Sequence, residues 1–361
     1  MTTHEGAVGT GGERLLETPA PDVPQRSLLR ALVVLARPKQ WSKSVFCLIG
    51  PAYGWFEIQR EVQAGATTLG EAILAVALCC VGFALASSGC YVVNDLMDAE
   101  ADRLHPRKRK RPIAAGQVGK GTALTFAVVL WAGAAVVCVA APVETWWLIL
   151  LTVGLHVGNV LSYSVFIKHA AIADVMSLAM GFVLRVMGGC AAAGVEPSVW
   201  LLNVTFFLSM FLAFGKRLGE RRLMARLDET GAGELAIKHR RVQSAYSDVF
   251  LQMAVVVTAV TTLVTYAFYI QSREDPVVVG FSLLWLTMLP STYGLLRAIV
   301  MLENGKYDDP TELAYKDRAF QLAGLVFVFL TIAITMLATE WPERPLDPEA
   351  DGLEMLESGE R

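Results

Sequence analysis

The chain has 361 residues, of which 54% are hydrophobic and 18% are charged, and its formal net charge is −3. The charged share is below the roughly 25% of ordinary soluble domains, and the charges are segregated into loops between long apolar runs. This segregation excludes a soluble α/β enzyme and indicates an integral membrane protein of many helices.

The two ends of the chain are predicted to form tails. Residues 1–25 are rich in Gly, Thr, Pro and Glu and have no apolar face, so we expect them to be disordered. They lack a basic region followed by an apolar core, which argues against a signal peptide. Residues 341–361 form an acidic tail, and residues 26–340 are predicted to form a single domain.

About nine membrane-spanning helices are predicted in this domain, because a span needs about 20 mostly apolar residues. The first, Ser44–Trp55, is short and rather polar, so this span is expected to extend beyond these bounds along the chain. The fold class is therefore all-α, a polytopic membrane protein built as one bundle. The remaining spans are predicted at Ala72–Val93, Ala123–Ala141, Trp146–Tyr163, Ile172–Ala193, Val199–Gly215, Phe250–Ile270, Val277–Leu296 and Phe320–Ala338.

Positive charge alternates between the loops. The segment before the first span and the loops after every second span are rich in Lys and Arg, whereas the opposite loops hold little more than Arg60 and Arg273. The positive-inside rule then places the N-terminus and the even-to-odd loops in the cytoplasm. We therefore expect a multi-pass protein of the cell (inner or plasma) membrane.

The cysteines and histidines show no metal or disulfide pattern. All six cysteines lie in apolar spans without CxxC spacing, so we interpret them as small buried hydrophobes. The five histidines form no spaced pair. The chain also lacks the motifs for nucleotide hydrolysis, dinucleotide binding and serine-hydrolase chemistry, so these functions have no support.

An acidic run at the end of the second span is the most informative stretch of the chain. On a continuing helix, Asn94, Asp98, Asp102 and Asp95 fall at about 0°, 40°, 80° and 100° and share one quadrant. Like charges at this spacing repel, so such a group needs a partner, and Mg²⁺ prefers one or two carboxylates completed by water and phosphate. The alternative is a solvated acidic helix end. Emergence from an apolar span favours a magnesium site.

Five consecutive cations, Arg107 to Arg111, follow the acidic run directly. Pro106 is expected to end the helix, because the residue before a proline avoids the helical region. An ordinary positive-inside loop explains part of this run but not its position beside the acidic face. A phosphate-rich ligand bridged by Mg²⁺ would need both groups.

The fifth predicted span carries two charges, Asp174 and Arg185, about 20° apart on the helical wheel. A charge within a span costs at least about 2.5–3.5 kcal/mol on insertion scales, so it is functional or paired by default. Arg185 lies about 16 Å further along the helix than Asp174. A structural pair with another helix is the alternative reading. Further polar groups at the cytoplasmic ends of spans are Tyr163, Lys168, Lys216 and Arg217.

Taken together, these motifs are familiar. The NDxxDxxxD run from Asn94 resembles the first motif of the UbiA intramembrane prenyltransferase superfamily, whose enzymes bind a diphosphate through Mg²⁺ held by Asp-rich motifs in a helical bundle. A narrower similarity, from Arg37 to Arg318, is to the decaprenyl-phosphate phosphoribosyltransferase branch. It is carried by RPKQWxK from Arg37, NDxxDxxxDRxHPxKxxRPIAAG from Asn94, YSxxxK from Tyr163, Asp174 with GFVLR ending at Arg185, and KRxxE from Lys216.

This resemblance implies a function. Residues 26–340 would be a UbiA-like catalytic domain that transfers 5-phosphoribosyl from phosphoribosyl diphosphate to a polyprenyl (decaprenyl-like) phosphate, with Mg²⁺ as cofactor and release of diphosphate. It also implies a role in cell-envelope biosynthesis and contact with membrane lipid. No nucleic-acid partner is expected, and a homo-oligomer is left open.

The resemblance also implies residue roles. Asp95, Asp98 and Asp174 are the catalytic candidates, and Asn94, Asp95, Asp98 and Asp102 are the metal ligands. Asp174 is expected to bind a second Mg²⁺ or to position the ribose. The 5-phosphate or the acceptor phosphate would be received by Arg185 with Lys43 or Lys216. The other substrate-binding candidates are Asn94, Asp102, Arg107, Lys108, Arg111, Tyr163, Lys168 and Arg217.

One departure from the superfamily pattern leaves alternatives open. The second motif of the aromatic prenyltransferases is DxxxD, whereas here Asp174 is followed by Ser177 and Leu178, so a second carboxylate is missing. This weakens the first alternative, transfer of a prenyl group from polyprenyl diphosphate to an aromatic or lipid acceptor. A more remote alternative is an anion transporter, which predicts Gly or Pro breaks at corresponding positions of two halves.

Overall fold

The computed structural model describes residues 26–104, 108–229, 246–272, 277–278, 281–304 and 316–340. The predicted tails at 1–25 and 341–361 lie outside these ranges, as does Arg107. Within them the chain is almost entirely helical. The α-helices are α1 (Leu28–Ala36), α2 (Ile49–Tyr53), α3 (Trp55–Gln63), α4 (Leu69–Met97), α5 (Ala99–Leu104), α6 (Lys120–Val139), α7 (Trp146–Val165), α8 (Ala173–Ala193), α9 (Val199–Glu229), α10 (Asp248–Gln271), α11 (Met288–Glu303) and α12 (Arg318–Glu340).

Short 3₁₀ helices and one small ribbon connect these helices. The 3₁₀ helices cover Pro38–Leu48, Lys108–Lys110, Ile167–His169 and Leu283–Thr287. The two-residue strands β1 (Val277–Val278) and β2 (Phe281–Ser282) pair in antiparallel fashion. The predicted all-α class is therefore confirmed, with this ribbon as a minor addition.

Eight helices within the described residues are long and apolar enough to cross a membrane: α4, α6, α7, α8, α9, α10, α11 with the turn before it, and α12. Their outward faces expose large apolar side chains, such as Leu325 and Phe329 on α12, which are 68% and 69% exposed. Such faces suit a lipid environment, since every backbone polar group is bonded within its helix. The chain is a multi-pass membrane protein.

The first predicted span, Ser44–Trp55, is interrupted in the structure. It falls on the 3₁₀ helix Pro38–Leu48 and on α2, and the chain turns at Gly54 before α3. This segment packs against α4 and α8. At the contact, a Cβ on Gly189 would stand 1.9 Å from the carbonyl oxygen of Cys47, so only glycine permits the approach. The predicted number of nine spans is thus approximate.

The predicted span Val277–Leu296 begins too early. Its first residues form the ribbon and a 3₁₀ turn, and the α-helix starts only at Met288. A short apolar run rich in β-branched residues does not by itself distinguish strand from helix. The span is therefore Leu283–Glu303.

Helix α8 lies at the centre of the bundle. It is the most buried of the spans and contacts α4, α7, α9 and the interrupted first segment. Small residues make this possible: a Cβ on Gly188 would stand 2.5 Å from the ring of Phe83 on α4. The charges of α8 therefore point into protein rather than lipid.

The predicted burial of the cysteines is largely confirmed, since five of the six are buried and Cys80 is half-buried.

Candidate functional site

The predicted site residues gather at one end of the bundle, where α4, α7 and α9 end and α8 begins. Lys168, just after α7, contacts Asp98 at the end of α4, and Arg217 in the second half of α9 contacts Asp174 at the start of α8. The even-to-odd connections thus share one side, as the charge pattern predicted. This end holds paired acidic and basic side chains rather than separate acidic and basic regions.

A buried carboxylate pair forms the first part of the site. Asp95 and Asp102 are each only 2% exposed. One nitrogen of Arg111, Nη1, lies 3.0 Å from Asp95 Oδ1 and 2.7 Å from Asp102 Oδ2. Lys108 Nζ lies 3.8 Å from the other oxygen of Asp102. The two carboxylates therefore face each other across one guanidinium nitrogen, as expected for residues seven apart on a helix.

Arg37 completes this pair from α1. Its guanidinium donates to Asp95 Oδ1 and lies 4.8 Å from the ring centre of Tyr91. The backbone of Arg37 adopts the left-handed conformation (φ 50°), which ends α1 immediately before Pro38. A non-glycine residue in this region costs about 1–3 kcal/mol and usually marks a functional constraint. The strain places a cation over the buried carboxylate.

A cavity of about 220 Å³ opens next to this group. It is lined by Val34, Arg37, Asp95, Lys110, Arg111 and Pro112. Three cations and one carboxylate thus border the same space. Its chemistry suits a multiply charged anion, because guanidinium groups present paired donors that match phosphate oxygens.

Asp98 forms a second, more open part. Helix α4 ends at Met97, and Asp98 starts the turn to α5. Its Oδ1 lies 3.2 Å from Lys168 Nζ, and its Oδ2 accepts a hydrogen bond of 3.1 Å from the amide of Asn94. The predicted quadrant therefore divides into Asp95 with Asp102, which are buried, and Asn94 with Asp98, which are partly exposed.

The carboxylate and amide oxygens of the acidic run have the chemistry that Mg²⁺ prefers. Within the described ranges, no three His, Cys, Asp or Glu side chains meet in a metal-binding group. Mg²⁺ does not need three, since it binds through one or two carboxylates and takes its other ligands from water and phosphate. Asp95 and Asp102 meet that requirement, with Asp98 and Asn94 as nearby oxygen donors. The residues fit a magnesium ion that also binds a phosphate ligand.

Asp174 belongs to a separate buried group. Its Oδ2 accepts from Arg217, and its Oδ1 accepts from the hydroxyl of Tyr246 at 2.9 Å and from the backbone N–H of Val175 at 2.8 Å. Asp174 thus finds its partners on other elements and does not contact Arg185, which lies further along the same helix. The alternative reading, a pair with another helix, is the one observed.

Tyr246 connects this group to the start of α8. Its hydroxyl oxygen accepts from the backbone N–H of Ile172 at 2.5 Å, and Ile172 has a positive φ of 69°. Ile172 and Arg37 are the two positive-φ residues other than glycine in the described chain, and both border the site. Burial raises the pKa of the Tyr246 hydroxyl, and its hydrogen bond to Asp174 adds to the rise. Tyr246 therefore acts here as a neutral donor.

Arg185 lies deeper, between α8, α4 and α7. Its Nη2 donates to Ser87 Oγ at 2.9 Å and lies 3.3 Å from His156 Nε2, while its Nη1 donates to the carbonyl of Gly181 at 2.7 Å. Ser87 and His156 are 8% and 2% exposed. A buried polar cluster thus surrounds the arginine, at a level distinct from the carboxylates.

The remaining predicted residues have diverse positions. Lys43 is exposed on the 3₁₀ helix Pro38–Leu48, while Tyr163 on α7 and Lys216 on α9 are half-buried. The 3₁₀ helix that carries Lys43 packs against α4 and α8.

Sequence reasoning missed four contributors to these groups. Arg37 and Tyr246 bind the predicted carboxylates, and Ser87 and His156 surround Arg185. Polar residues inside apolar spans are expensive and usually functional, so Ser87 and His156 carried a detectable signal. Tyr246 carried none, because only the folded chain brings α10 to α8.

The fold and site define a polytopic membrane protein with paired carboxylates and cations at one end of its helical bundle. Residues 62–312 match the model of the UbiA prenyltransferase family, and the chain belongs to that family. It is 32% identical over 315 residues to the decaprenyl-phosphate phosphoribosyltransferase of Mycolicibacterium smegmatis, covering 84% of this chain and 92% of that protein. The protein of the same name from Corynebacterium glutamicum is 32% identical over 322 residues, covering 86% and 88%.

Solved structures show the same fold. A UbiA homologue from Archaeoglobus fulgidus, bound to DMAPP and Mg²⁺, superposes with a TM-score of 0.57 at 16% identity, covering 86% of this chain and 99% of that one. Identity this low supports the fold alone. The resemblance expected from the NDxxDxxxD run is confirmed at the level of the family.

Proposed function

We propose that this protein transfers 5-phosphoribosyl from phosphoribosyl diphosphate to a polyprenyl phosphate in a Mg²⁺-dependent reaction. The observation that carries the proposal is the match along 92% of a decaprenyl-phosphate phosphoribosyltransferase at 32% identity. The charge layout of the site supports it, because a donor with several phosphate groups needs both metal-binding carboxylates and cations. The proposal makes the protein a membrane-bound transferase.

Asp95 and Asp102, with Asp98 and Asn94 beside them, would hold Mg²⁺ on the donor's diphosphate. When bound, the ion neutralises charge that develops on the leaving diphosphate, which is worth several kcal/mol in such reactions. A homologue of the same fold is solved with DMAPP and Mg²⁺ bound, which supports a metal requirement for the reaction.

The cations would change partners when the donor binds. Arg37, Arg111 and Lys168 each contact a carboxylate of the acidic run. Because an uncompensated buried charge is costly, these pairs keep the carboxylates neutralised within the protein. The donor's phosphates would draw the cations away, and the carboxylates would then be free to hold the ion. Lys108 would act in the same way through Asp102.

The transfer itself needs no general base. The bond between ribose C1 and the diphosphate oxygen breaks, and a bond forms between C1 and an oxygen of the polyprenyl phosphate, which is already anionic. C1 gains oxocarbenium character, as in glycosyl transfer generally. The electron pair of the broken bond leaves with diphosphate, so atoms and charge balance without proton transfer.

We retain Asp174 as a positioning residue in this scheme. Its carboxylate is held by Arg217 and Tyr246, an arrangement that favours orienting the ribose over binding a second metal ion. Arg217, and Lys216 beside it, would extend the cationic surface towards the substrates. Tyr163 and Arg107 are kept as substrate-binding candidates.

The proposal includes a location. By the positive-inside rule, the site would lie on the cytoplasmic side of the plasma membrane. The acceptor's prenyl chain would lie against the exposed apolar faces of the bundle, within the lipid.

The test is a transfer assay with detergent-purified protein. One reaction contains Mg²⁺, phosphoribosyl diphosphate and a polyprenyl monophosphate, and mass spectrometry detects a phosphoribosyl lipid. A second contains polyprenyl diphosphate with aromatic acids, and a third repeats the first with Asp98→Ala. Phosphoribosyl lipid that is lost with EDTA and with the variant supports the proposal. Prenylated aromatic product in the second reaction, with none in the first, overturns the donor and acceptor.

A further inference from the structure

Arg185 is a buried cation without a carboxylate partner. It is 5% exposed, and none of the ion pairs formed by the described residues includes it. Its guanidinium carbon lies 5.7 Å from the ring centres of both Phe83 and Phe182, so its surroundings are aromatic. A charge in such a place is expensive and is retained for a function.

The cluster around Arg185 also contains two buried N–H donors without an acceptor. Arg185 Nε and His156 Nδ1 have no hydrogen-bond partner. His156 Nε2 receives the contacts of Ser87 Oγ at 3.1 Å and Arg185 Nη2 at 3.3 Å. Arginine only donates, so Nε2 is the acceptor and the proton of the neutral imidazole is on Nδ1. Buried donors are almost always paired, so these two indicate a missing acceptor.

Gly181 leaves the position beside these two side chains unfilled. A Cβ at this position would lie 3.7 Å from Arg185 Nη1 and 3.7 Å from His156 Nδ1, at ordinary contact distance from both. The glycine thus keeps open the volume between the guanidinium and the imidazole. Arg185 Nη1 donates to the carbonyl of Gly181, one turn earlier on α8, so the guanidinium points towards the carboxylate end of the bundle.

We infer that Arg185, His156 and Ser87 form a buried binding site for a phosphate monoester, separate from the diphosphate site at Asp95 and Asp102. A tetrahedral anion would accept from Arg185 Nε and His156 Nδ1, and Ser87 would keep both side chains in place. The identity of the monoester rests on the proposed function: it is either the 5-phosphate of the donor or the phosphate of the lipid acceptor.

The test measures binding without turnover. Calorimetry in detergent titrates the full chain with ribose 5-phosphate, with a short polyprenyl phosphate and its alcohol, and with Mg²⁺ and inorganic pyrophosphate. We expect Arg185→Gln and His156→Gln each to lower the affinity for one of the two monoesters at least tenfold, while the affinity for pyrophosphate is unchanged. Loss of ribose 5-phosphate binding assigns the site to the donor. Loss of lipid phosphate binding, with the alcohol unaffected, assigns it to the acceptor.

Two further variants keep the test decisive if Arg185→Gln fails to fold. Gly181→Ala removes no polar group but fills the volume beside the guanidinium and the imidazole, so it should weaken binding of the same monoester with an unchanged melting temperature. Arg60→Gln is the same substitution at an exposed arginine on the opposite side and should bind all probes like the parent chain. Unchanged affinity for both monoesters in His156→Gln and Gly181→Ala overturns the inference.

Failure of the proposed function gives a different result. If the parent chain binds a monoester through Arg185 but makes no phosphoribosyl lipid, the transfer reaction is wrong and the site remains. If it makes the lipid while Arg185→Gln and His156→Gln keep the parent's KM for both substrates, the site is wrong and the reaction remains.

Discussion

Lys168 and Asp98 lie 3.2 Å apart, although they are separated by 70 residues and belong to different helix ends. The contact joins the acidic run after α4 to the YSxxxK motif after α7. Because the Asp98 side chain is 31% exposed, the pair contributes little stability, as is usual for exposed ion pairs. Its value therefore lies in function, and it offers a clear first test.

Asp98→Asn should lower the phosphoribosyl-transfer rate by at least about 100-fold, because it removes a carboxylate next to the diphosphate's metal ion. The melting temperature should stay close to that of the parent chain, since the pair is partly exposed. Initial rates at saturating substrate, with melting curves in the same detergent, measure both. Lys168→Gln is the matched change and should raise the donor's KM more than it lowers kcat. A fully active Asp98→Asn would exclude this carboxylate from the metal site.

Gly189→Ala should be strongly destabilising. The new Cβ would stand 1.9 Å from a backbone carbonyl of Cys47, which cannot move aside as a flexible side chain can. Overpacking of this kind costs typically about 1–3 kcal/mol and here should reach the top of that range or exceed it. Thermal unfolding in detergent measures the loss.

Gly154→Ala is the matched control for that change. Gly154 is also helical, but a Cβ there would meet nothing within 4 Å. Alanine is favoured over glycine within a helix by about 1 kcal/mol, so this variant should be as stable as the parent chain or more so. Equal melting temperatures for the two variants would contradict the close contact between α8 and the first segment.

Asp174→Asn and Arg217→Gln should each destabilise the protein by about 3 kcal/mol or more. The two side chains are only 3% and 11% exposed, and removing one member of a buried pair leaves the other charge uncompensated. The double variant should be more stable than additivity of the single changes predicts, because it leaves no lone charge. Melting curves of the three variants complete the cycle. Strict additivity would show that the pair is not coupled.

Tyr246→Phe should change how stability depends on pH. The folded pKa of Tyr246 is raised by burial and by Asp174, so the hydroxyl stabilises the fold fully below the unfolded value of about 10. That contribution is lost as the pH rises from 10 through the folded pKa. The parent chain should be the more stable at pH 8, and the difference should narrow towards pH 11.

Melting temperatures of both proteins from pH 8 to pH 11 measure this effect. Tyr293→Phe, on the exposed side of α11, controls for the loss of a hydroxyl group elsewhere. A difference between parent and Tyr246→Phe that widens with pH would show that the sign is wrong.

The sequence predicted what depends on local periodicity. Six of the apolar runs form helices within a few residues of their predicted bounds, because about 20 apolar residues admit little else in a bilayer. A seventh, Val199–Gly215, begins where predicted but continues as a helix to Glu229. The acidic run after α4 also kept its predicted helical phase, which explains why Asp95 and Asp102 meet at one guanidinium. The predicted start of the span Val277–Leu296 was wrong, because hydropathy does not specify backbone conformation.

Features that depend on contacts between helices were harder to predict from the sequence. Asp174 and Arg185 share a helical face, yet each finds partners on different helices, Arg217 in one case and Ser87 in the other. The position of a residue on the helical wheel predicts the direction of its side chain, but not which neighbouring helix the side chain meets. The same limit applies to Arg37, whose side chain is aimed by a left-handed backbone at the end of α1.

The close approach of Gly189 to Cys47 also bears on how the protein is made. The first segment is broken into short helices, none of them long enough to cross a membrane, so it has little independent hold on the lipid. Its docking surface on α8 is synthesised more than a hundred residues later. The ribosome must therefore produce α8 before the beginning of the chain can settle, and early membrane integration of this segment is provisional. Biogenesis thus depends on a late event at a single glycine.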